Sequence, residues 1–197
     1  SITEEFPKHP FAWKVLAIVL KQNGRINESL IASQKSVQLD LHDAEARNNL
    51  GNTLKEQGKL DESEASFRQA ITLKPNYAEA HNNLGVTLEA QGKLNEAEVC
   101  FRQAIVLKPN YAEAHSNLGV TLEAQGKLKE SEASFRQAIA LKPNYAEGYN
   151  NLGNILKEQS KQDESEACFR QAIELKPDFA EAHNNLGVTL EAQGKLN

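Results

Sequence analysis

The chain has 197 residues, with 22 Lys and Arg against 27 Asp and Glu, which gives a formal net charge of −5. A mildly acidic chain has no basic field that attracts phosphates, so composition disfavours nucleic acid and anionic membrane surfaces as partners. The longest apolar runs, such as residues 15–20, are far shorter than the about 20 residues of a membrane span. Cys100 and Cys168 are too few for a disulfide framework, and we expect a cytoplasmic, reducing setting.

Internal repetition is the main feature of the sequence. Proline and phenylalanine each recur at intervals of 34 residues, at Pro75, Pro109, Pro143 and Pro177 and at Phe67, Phe101, Phe135 and Phe169. We therefore interpret residues 1–197 as one array, with position 1 of the regular repeats at an alanine such as Ala44. Its parts are a remnant at 1–9, a degenerate repeat 1 at 10–43, regular repeats 2 to 5 at 44–77, 78–111, 112–145 and 146–179, and a half repeat at 180–197.

Each repeat is predicted to contain two helices. In repeat 3 the first apolar stripe includes Ala80, Leu84 and Leu88, and it stops at Gly92. A second stripe follows and ends at Pro109, whose ring cannot continue a helix. Short connections make paired helices antiparallel, and neither helix can bury its stripe alone, so the pairs must stack into an all-α solenoid.

Acidic and amide residues before each stripe predict the helix starts. We expect the residues equivalent to Asn76 to cap the first helices, because each precedes a glutamate by three residues. These capping residues are Asn76, Asn110, Asn144 and Asp178. The same spacing predicts that Asp61 and Asp163 cap second helices.

The residues that recur in each repeat form a recognisable pattern. In repeat 3 they are His81, Leu84, Gly85, Leu88, Gly92, Ala97, Phe101, Ala104 and Pro109. This pattern in a 34-residue unit resembles the tetratricopeptide repeat family. The resemblance implies a right-handed α-solenoid whose first helices line a concave groove that holds peptides or partner proteins.

Asparagine is the most distinctive residue on the predicted groove face, which consists of positions 2, 5, 6, 9, 12 and 13 of each first helix. Position 6 is Asn49, Asn83, Asn117, Asn151 and Asn185, and position 5 is Asn48, Asn82, Ser116, Asn150 and Asn184. A carboxamide can bond both the N–H and the C=O of an extended peptide. The ladder resembles that in the tetratricopeptide arm of the O-linked N-acetylglucosamine transferases, and the matching residues begin with Asn49, Leu50 and Gly51.

The predicted peptide-binding set combines this ladder with polar residues at positions 9 and 12. It comprises Asn48, Asn49, Asn52, Lys55, Asn82, Asn83, Asn117, Asn150, Asn151, Asn154, Lys157, Asn184 and Asn185. Position 12 carries both signs of charge, so no ligand charge is predicted. The alternative is that the asparagines bond one another and hold the repeats in register.

Catalytic and metal-binding roles find no support in the sequence. His81, His115 and His183 lie in separate repeats, too far apart to share a metal, and we expect them to fill an aromatic slot in the core. Cys100 and Cys168 alternate with serine at one position, which favours a filler over a nucleophile. We predict no catalytic residue, no metal and no cofactor.

Three functional hypotheses remain. The preferred one is a scaffold that binds an extended peptide or a partner protein in the groove. The second is the non-catalytic, substrate-recognition arm of a larger transferase. The third is a self-assembling element that associates end to end, because the last helix is expected to expose Ala182, Leu186 and Leu190.

Overall fold

A computed structural model of the chain describes residues 7–195. Within that range it contains eleven α-helices and no strand, as the repeat pattern predicts. Most of the predicted remnant at 1–9 lies outside the described residues, as do the last two residues of the half repeat. The chain forms two compact segments, which we call the N-terminal segment (1–107) and the C-terminal segment (108–197).

The N-terminal segment contains three helix pairs. They are α1 (Pro10–Gln22) with α2 (Ile26–Leu39), α3 (Ala44–Glu56) with α4 (Leu60–Leu73), and α5 (Ala78–Ala90) with α6 (Leu94–Leu107). The C-terminal segment contains two pairs and one further helix. These are α7 (Ala112–Ala124) with α8 (Leu128–Leu141), α9 (Ala146–Glu158) with α10 (Gln162–Leu175), and α11 (Ala180–Ala192).

Three-residue turns join the helices of each pair. After α5, the Gly92 N–H donates to the Glu89 carbonyl and the Lys93 N–H to the Leu88 carbonyl, which is the glycine-terminated C-cap of the Schellman type. Gly92 has a φ of +74°, in the left-handed region that glycine adopts without strain. Repeat 5 makes the same turn with Ser160 at φ +61°.

A glycine and a phenylalanine form the centre of each regular helix pair. The rings of Phe67, Phe101, Phe135 and Phe169 are fully buried. A Cβ atom built on Gly119 would lie 2.8 Å from the Phe135 ring, and Gly51, Gly85 and Gly153 meet their own phenylalanines in the same way. The glycine thus lets the first helix lie directly against the ring of the second.

A buried serine adds a hydrogen bond to the same helix contact. Ser131 Oγ donates to the Gly119 carbonyl at 2.8 Å. Ser63 and Ser165 make the equivalent bond to Gly51 and Gly153. Each hydroxyl therefore joins the two helices of its pair at the point where the glycine contacts the ring.

The predicted capping residues are wrong for four of the first helices. Each of these helices begins two residues after the asparagine or aspartate, because the Pro–Asn or Pro–Asp dipeptide forms a turn of its own. The N-cap of α5 is Tyr77, whose ring stacks under Lys74 Nζ at 4.7 Å. Only α3 has a side-chain cap, among the helices whose N-caps the structure describes, in which Asp43 accepts from the Glu45 and Ala46 N–H groups.

The predicted caps of the second helices are also wrong. Helices α4 and α10 begin at Leu60 and Gln162, so Asp61 and Asp163 lie inside the first turn. There Asp61 accepts a hydrogen bond from Gln91 of the following repeat. Gln193 donates to Asp163 in the same way. These carboxylates therefore connect neighbouring repeats.

The histidines do not fill the core, contrary to the sequence prediction. His81 and His115 are half-buried and His183 is exposed. His81 Nε2 donates to the Pro75 carbonyl at 3.0 Å, and the other two histidines make the same bond to the proline six residues earlier. Trp13 donates equivalently to the Pro7 carbonyl. Position 4 therefore closes the loop before the helix.

The end of the described chain is better covered than expected. Ala182 is fully buried against its neighbours, and Leu186 and Leu190 are half-buried. The prediction that Ala182 would be exposed is wrong, because α11 packs on both α9 and α10. Gly187 nevertheless has nothing within 4 Å of a Cβ position, since no second helix covers it within the described residues.

Candidate functional site

The first-helix face differs from the sequence expectation at position 5. Asn48, Asn82 and Asn150 are buried, with Asn150 only 1% exposed, and Ser116 is buried as well. Within each segment, adjacent first helices contact one another, and Asn48, Ser116 and Asn150 lie in that contact. Asn184 is exposed, because no further first helix follows α11 in the described chain.

A hydrogen bond between asparagines crosses this contact in both segments. Asn83 Nδ2 donates to Asn48 Oδ1 at 3.0 Å, and Asn185 Nδ2 donates to Asn150 Oδ1 at 3.1 Å. Asn150 Nδ2 in turn donates to Glu181 Oε1 at 2.8 Å. The buried amides of position 5 therefore hold neighbouring repeats together, in the manner of the alternative considered from sequence.

Position 6 differs from position 5 because its amides stay half-exposed. This holds for Asn49, Asn83, Asn117, Asn151 and Asn185. The Asn151 amide has no hydrogen-bond partner among residues 7–195, because Ser116 stands where an asparagine acceptor is expected and bonds the Tyr145 hydroxyl at 3.0 Å instead. Asn151 therefore has both its amide donor and its acceptor available to a ligand.

Positions 9 and 12 extend the half-exposed surface along each first helix. Asn52, Lys55, Asn154 and Lys157 all lie there. Burial lowers the pKa of Lys55, with a further lowering from Lys21, and burial raises the pKa of Glu123. These shifts indicate partial desolvation, so a bound group would meet charges that are poorly screened by water.

A cavity of about 410 Å³ opens on this face between α1 and α3. Asn49 and Asn52 are the two residues of the predicted peptide-binding set that line this cavity. The sequence does contain a signal for the cavity, because repeat 1 has Ala17 and Ser33 where the regular repeats have glycine and phenylalanine.

The second helices carry a different surface, built from ion pairs between repeats. Glu132 bonds Arg136 of its own helix and Lys161 of the next repeat, at 2.8 and 2.9 Å. Glu64 and Glu166 are paired in the same way. These charges therefore satisfy one another across neighbouring repeats.

The two cysteines and the side chains of types that can bind metals form no reactive arrangement. Burial raises the pKa of the Cys100 and Cys168 thiols to about 11, so both stay protonated at neutral pH. No group of three His, Cys, Asp or Glu side chains within 7–195 is placed to hold a metal. None of the helices in that range is both long and apolar enough to cross a membrane.

Similarity to known proteins follows the repeat architecture. A family model described as the TPR repeat matches residues 51–92, 90–126, 121–160 and 153–194. No curated protein sequence matches the chain significantly.

Several solved structures share the fold at low sequence identity. A protein from Pseudomonas aeruginosa, PilF, has a TM-score of 0.86 at 16% identity, over 94% of this chain and 85% of its own. YrrB, described as a TPR protein with an unusual peptide-binding site, has a TM-score of 0.72 at 21% identity, over 92% and 94%. A thermophilic TPR protein of Thermus thermophilus has a TM-score of 0.73 at 22% identity, over 92% and 99%.

The family is one whose members generally mediate protein–protein interaction and are typically not catalytic. The repeat length, the paired helices, the glycine–phenylalanine centres and the family match agree. The chain belongs to the tetratricopeptide repeat family.

Proposed function

We propose that this protein is a non-catalytic scaffold that binds an extended peptide of a partner protein on the first-helix face of its segments. The observation that carries the proposal is the row of half-exposed position-6 amides. A helix face with asparagine at the same place in successive repeats presents donors and acceptors at regular spacing, which suits a peptide main chain. The peptide-binding site named for YrrB is consistent with this use of the fold.

Burial divides the predicted binding residues into two roles. Asn48, Asn82 and Asn150 are buried, so we assign them to positioning. The direct contacts are then proposed for position 6, with Asn52, Lys55, Asn154, Lys157 and the exposed Asn184 beside it. Asn83 illustrates the division, since its Nδ2 is held by Asn48 while its Oδ1 accepts no hydrogen bond among residues 7–195.

Main-chain contacts alone give modest affinity. A hydrogen bond contributes about 1 kcal/mol net, whereas association costs about 4 to 15 kcal/mol. Specific partners must therefore also use side-chain pockets beside the amides. Two free thiols are compatible with the reducing, cytoplasmic setting that we propose.

The test begins with linear peptides selected by phage display on the whole chain. Their affinities for the wild type and for the Asn83→Ala, Asn151→Ala variant are compared by fluorescence anisotropy. We expect the double variant to bind about fivefold more weakly, because a peptide on the face of either segment loses one hydrogen bond. The matched control is Gln137→Ala, which removes an exposed amide from the second-helix surface and should leave affinity unchanged.

Equal affinities for the double variant and the wild type would contradict the proposal. The arm of a larger transferase and end-to-end association remain predictions. The first would use the same face, whereas the second would show as a mass that rises with concentration in light scattering.

A further inference from the structure

Repeat 1 lacks the glycine–phenylalanine pair that centres every regular repeat. In repeat 2 a Cβ atom built on Gly51 would lie 2.7 Å from the Phe67 ring, which is fully buried. The equivalent residues of repeat 1 are Ala17 and Ser33. The substitution removes a phenyl ring from between α1 and α2 and replaces it with one hydroxymethyl group.

The space is not filled by neighbouring side chains. The cavity of about 410 Å³ is lined by both members of the altered pair and by residues of α1 and α3. The lining residues that carry the argument are Ala17, Ile18, Lys21, Ser33, Asn49 and Glu56. Pockets for small ligands in proteins have volumes of about 300 to 1,000 Å³, so the cavity can take a ring.

Two polar atoms of this lining have no partner among the described residues. Ser33 is only 2% exposed, and its Oγ makes no hydrogen bond. Asn49 Nδ2 is also buried and unpaired. Such atoms cost free energy unless a bound group satisfies them.

The unpaired amide has a clear origin in the repeat pattern. Asn83 donates to Asn48, the position-5 residue of the preceding repeat. For Asn49 that residue is Lys14, an ammonium group with no acceptor, which pairs with Asp43 and Glu45 instead. Repeat 1 therefore departs from the pattern at both the ring and the amide acceptor, and both departures meet in the same cavity.

The remaining lining defines the chemistry of the occupant. Ala17 and Ile18 supply aliphatic contacts, and Ile18 is 38% exposed, so the cavity opens to solvent. Lys21 and Glu56 neutralise each other at 2.8 Å. A ligand here meets apolar walls, an unpaired N–H donor and a hydroxyl, with no net charge.

We propose that this cavity binds a neutral aromatic ring bearing a hydroxyl group, and that the physiological ring is a tyrosine side chain of the bound peptide. The assignment of the ring to a tyrosine of the peptide rests on the proposed function, whereas the binding of a ring by the cavity does not. The ring enters the space that the missing phenylalanine leaves beside Ser33, and it lies farther from the first helix than a regular phenylalanine does. A Cβ atom at the position of Ala17 would be less than 3 Å from a ring in the regular place. The phenol oxygen accepts from Asn49 Nδ2 and bonds Ser33 Oγ.

The test uses p-cresol, which is the side chain of tyrosine without its backbone. Methyl resonances of Ala17 and Ile18 in the whole chain should shift saturably, with a Kd of about 1 mM for so small a ligand. Toluene should bind more weakly than p-cresol in the wild type. Ser33→Ala should reduce that preference, because one polar partner of the phenol is lost.

The matched variant is Ala17→Gly, Ser33→Phe, which restores the regular pair. We expect it to unfold at a higher temperature than the wild type and to bind p-cresol at least tenfold more weakly. The proposal would be overturned if the wild type showed no saturable shifts up to about 10 mM p-cresol. The affinity would then be well below that expected for a small ligand in this cavity. Equal p-cresol binding by the folded double variant would also overturn the proposal.

The two proposals fail separately. Asn83→Ala, Asn151→Ala should leave p-cresol binding unchanged, because neither residue lines the cavity. If that variant retained both p-cresol binding and unaltered peptide binding, the proposal of peptide binding on the first-helix face would be rejected and the cavity proposal would stand. Loss of p-cresol binding in that variant would overturn the cavity as the binding site.

Discussion

At the scale of single residues, the most constrained contact is the one between the position-8 glycine and the phenylalanine ring. Gly119 lies so close to Phe135 that any side chain would overlap the ring. The ring is fully buried. The glycine is therefore required by packing and not by backbone conformation, since its helix is regular.

Gly119→Ala should destabilise the chain by about 1 to 2 kcal/mol, because overpacking outweighs the better helix propensity of alanine. Urea unfolding measures the change. Gly187→Ala is the matched control, as the same position in α11 meets nothing within 4 Å. We expect the control to be neutral or slightly stabilising, and a stabilising Gly119→Ala would contradict the packing argument.

Ser160 is the one residue of the repeated turns that adopts a left-handed conformation with a side chain, among the described residues. Ser160→Gly should stabilise the chain by about 1 kcal/mol, because glycine carries no penalty at φ +61°. The reverse change, Gly126→Ser, should destabilise it by a similar amount. Thermal unfolding of both variants gives the comparison, and a Ser160→Gly variant that melts lower would refute it.

At the scale of helices, ion pairs of the second helices link repeats 2 and 3 in the N-terminal segment and repeats 4 and 5 in the C-terminal segment. Lys161 bonds the Glu132 carboxylate, and Arg136 bonds it from the same helix. The Lys161 hydrogen bond has the largest effect and, with Arg136, lowers the pKa of Glu132 from 4.5 to about 2, although burial opposes the shift. The carboxylate is therefore more stable ionised in the folded protein than in the unfolded chain.

The stabilisation from Glu132 should be present above its ordinary pKa of 4.5 and lost as pH falls toward about 2. The urea midpoints of the wild type and Glu132→Gln should differ at pH 7 and converge at pH 2 to 3. Raising the salt concentration should shrink the difference at pH 7, because the pair is near the surface. A pH-independent difference would show that the charge is not responsible.

At the scale of the whole molecule, each repeat contacts only its neighbours within its own segment among the described residues, so stability there is local. Helix α11 packs on α9 and α10 but has no second helix of its own within the described chain. Leu186 and Leu190 are half-buried, whereas the equivalent Leu152 and Leu156 of α9 are buried. The solenoid therefore becomes less well packed toward that end.

Hydrogen exchange should reveal this difference. Amides of α11 should exchange about tenfold or more faster than the equivalent amides of α9, because fewer contacts must open. Mass spectrometry of peptic fragments from the two helices makes the comparison under identical conditions. Equal protection at low protein concentration would contradict it, and protection of α11 that rises with concentration would support end-to-end association.

Much of the fold could be predicted because its signals repeat. The spacing of Phe67 and Pro75 and of their later copies located the helix pairs, the turns and the all-α architecture. The capping residues were predicted wrongly because Asn76 lies in a turn before the helix, and the stacking of Lys74 on Tyr77 beside that turn is not apparent from a capping motif. The histidines were assigned to the core because a pattern of ring-bearing residues does not show that His81 reaches the Pro75 carbonyl.

The candidate surface was only partly predictable. The helical period correctly placed Asn83 on the first-helix face, but the same period placed Asn48 there, which the neighbouring first helix buries. Periodicity describes one helix, whereas burial at position 5 depends on how closely two repeats approach. The cavity depends on packing in the same way. Larger neighbouring side chains could have filled the space that Ser33 leaves where the regular repeats have phenylalanine.

The sequence by itself determined the repeat length, the two-helix unit and the membership of a family, because these follow from residue identities at fixed spacing. Only the tertiary structure decided which asparagines are buried between repeats, which remain half-exposed, and where repeat 1 leaves a cavity. Those properties depend on distances between residues that are remote in the chain. Local pattern sets the faces of each helix, and stacking decides which part of each face meets solvent.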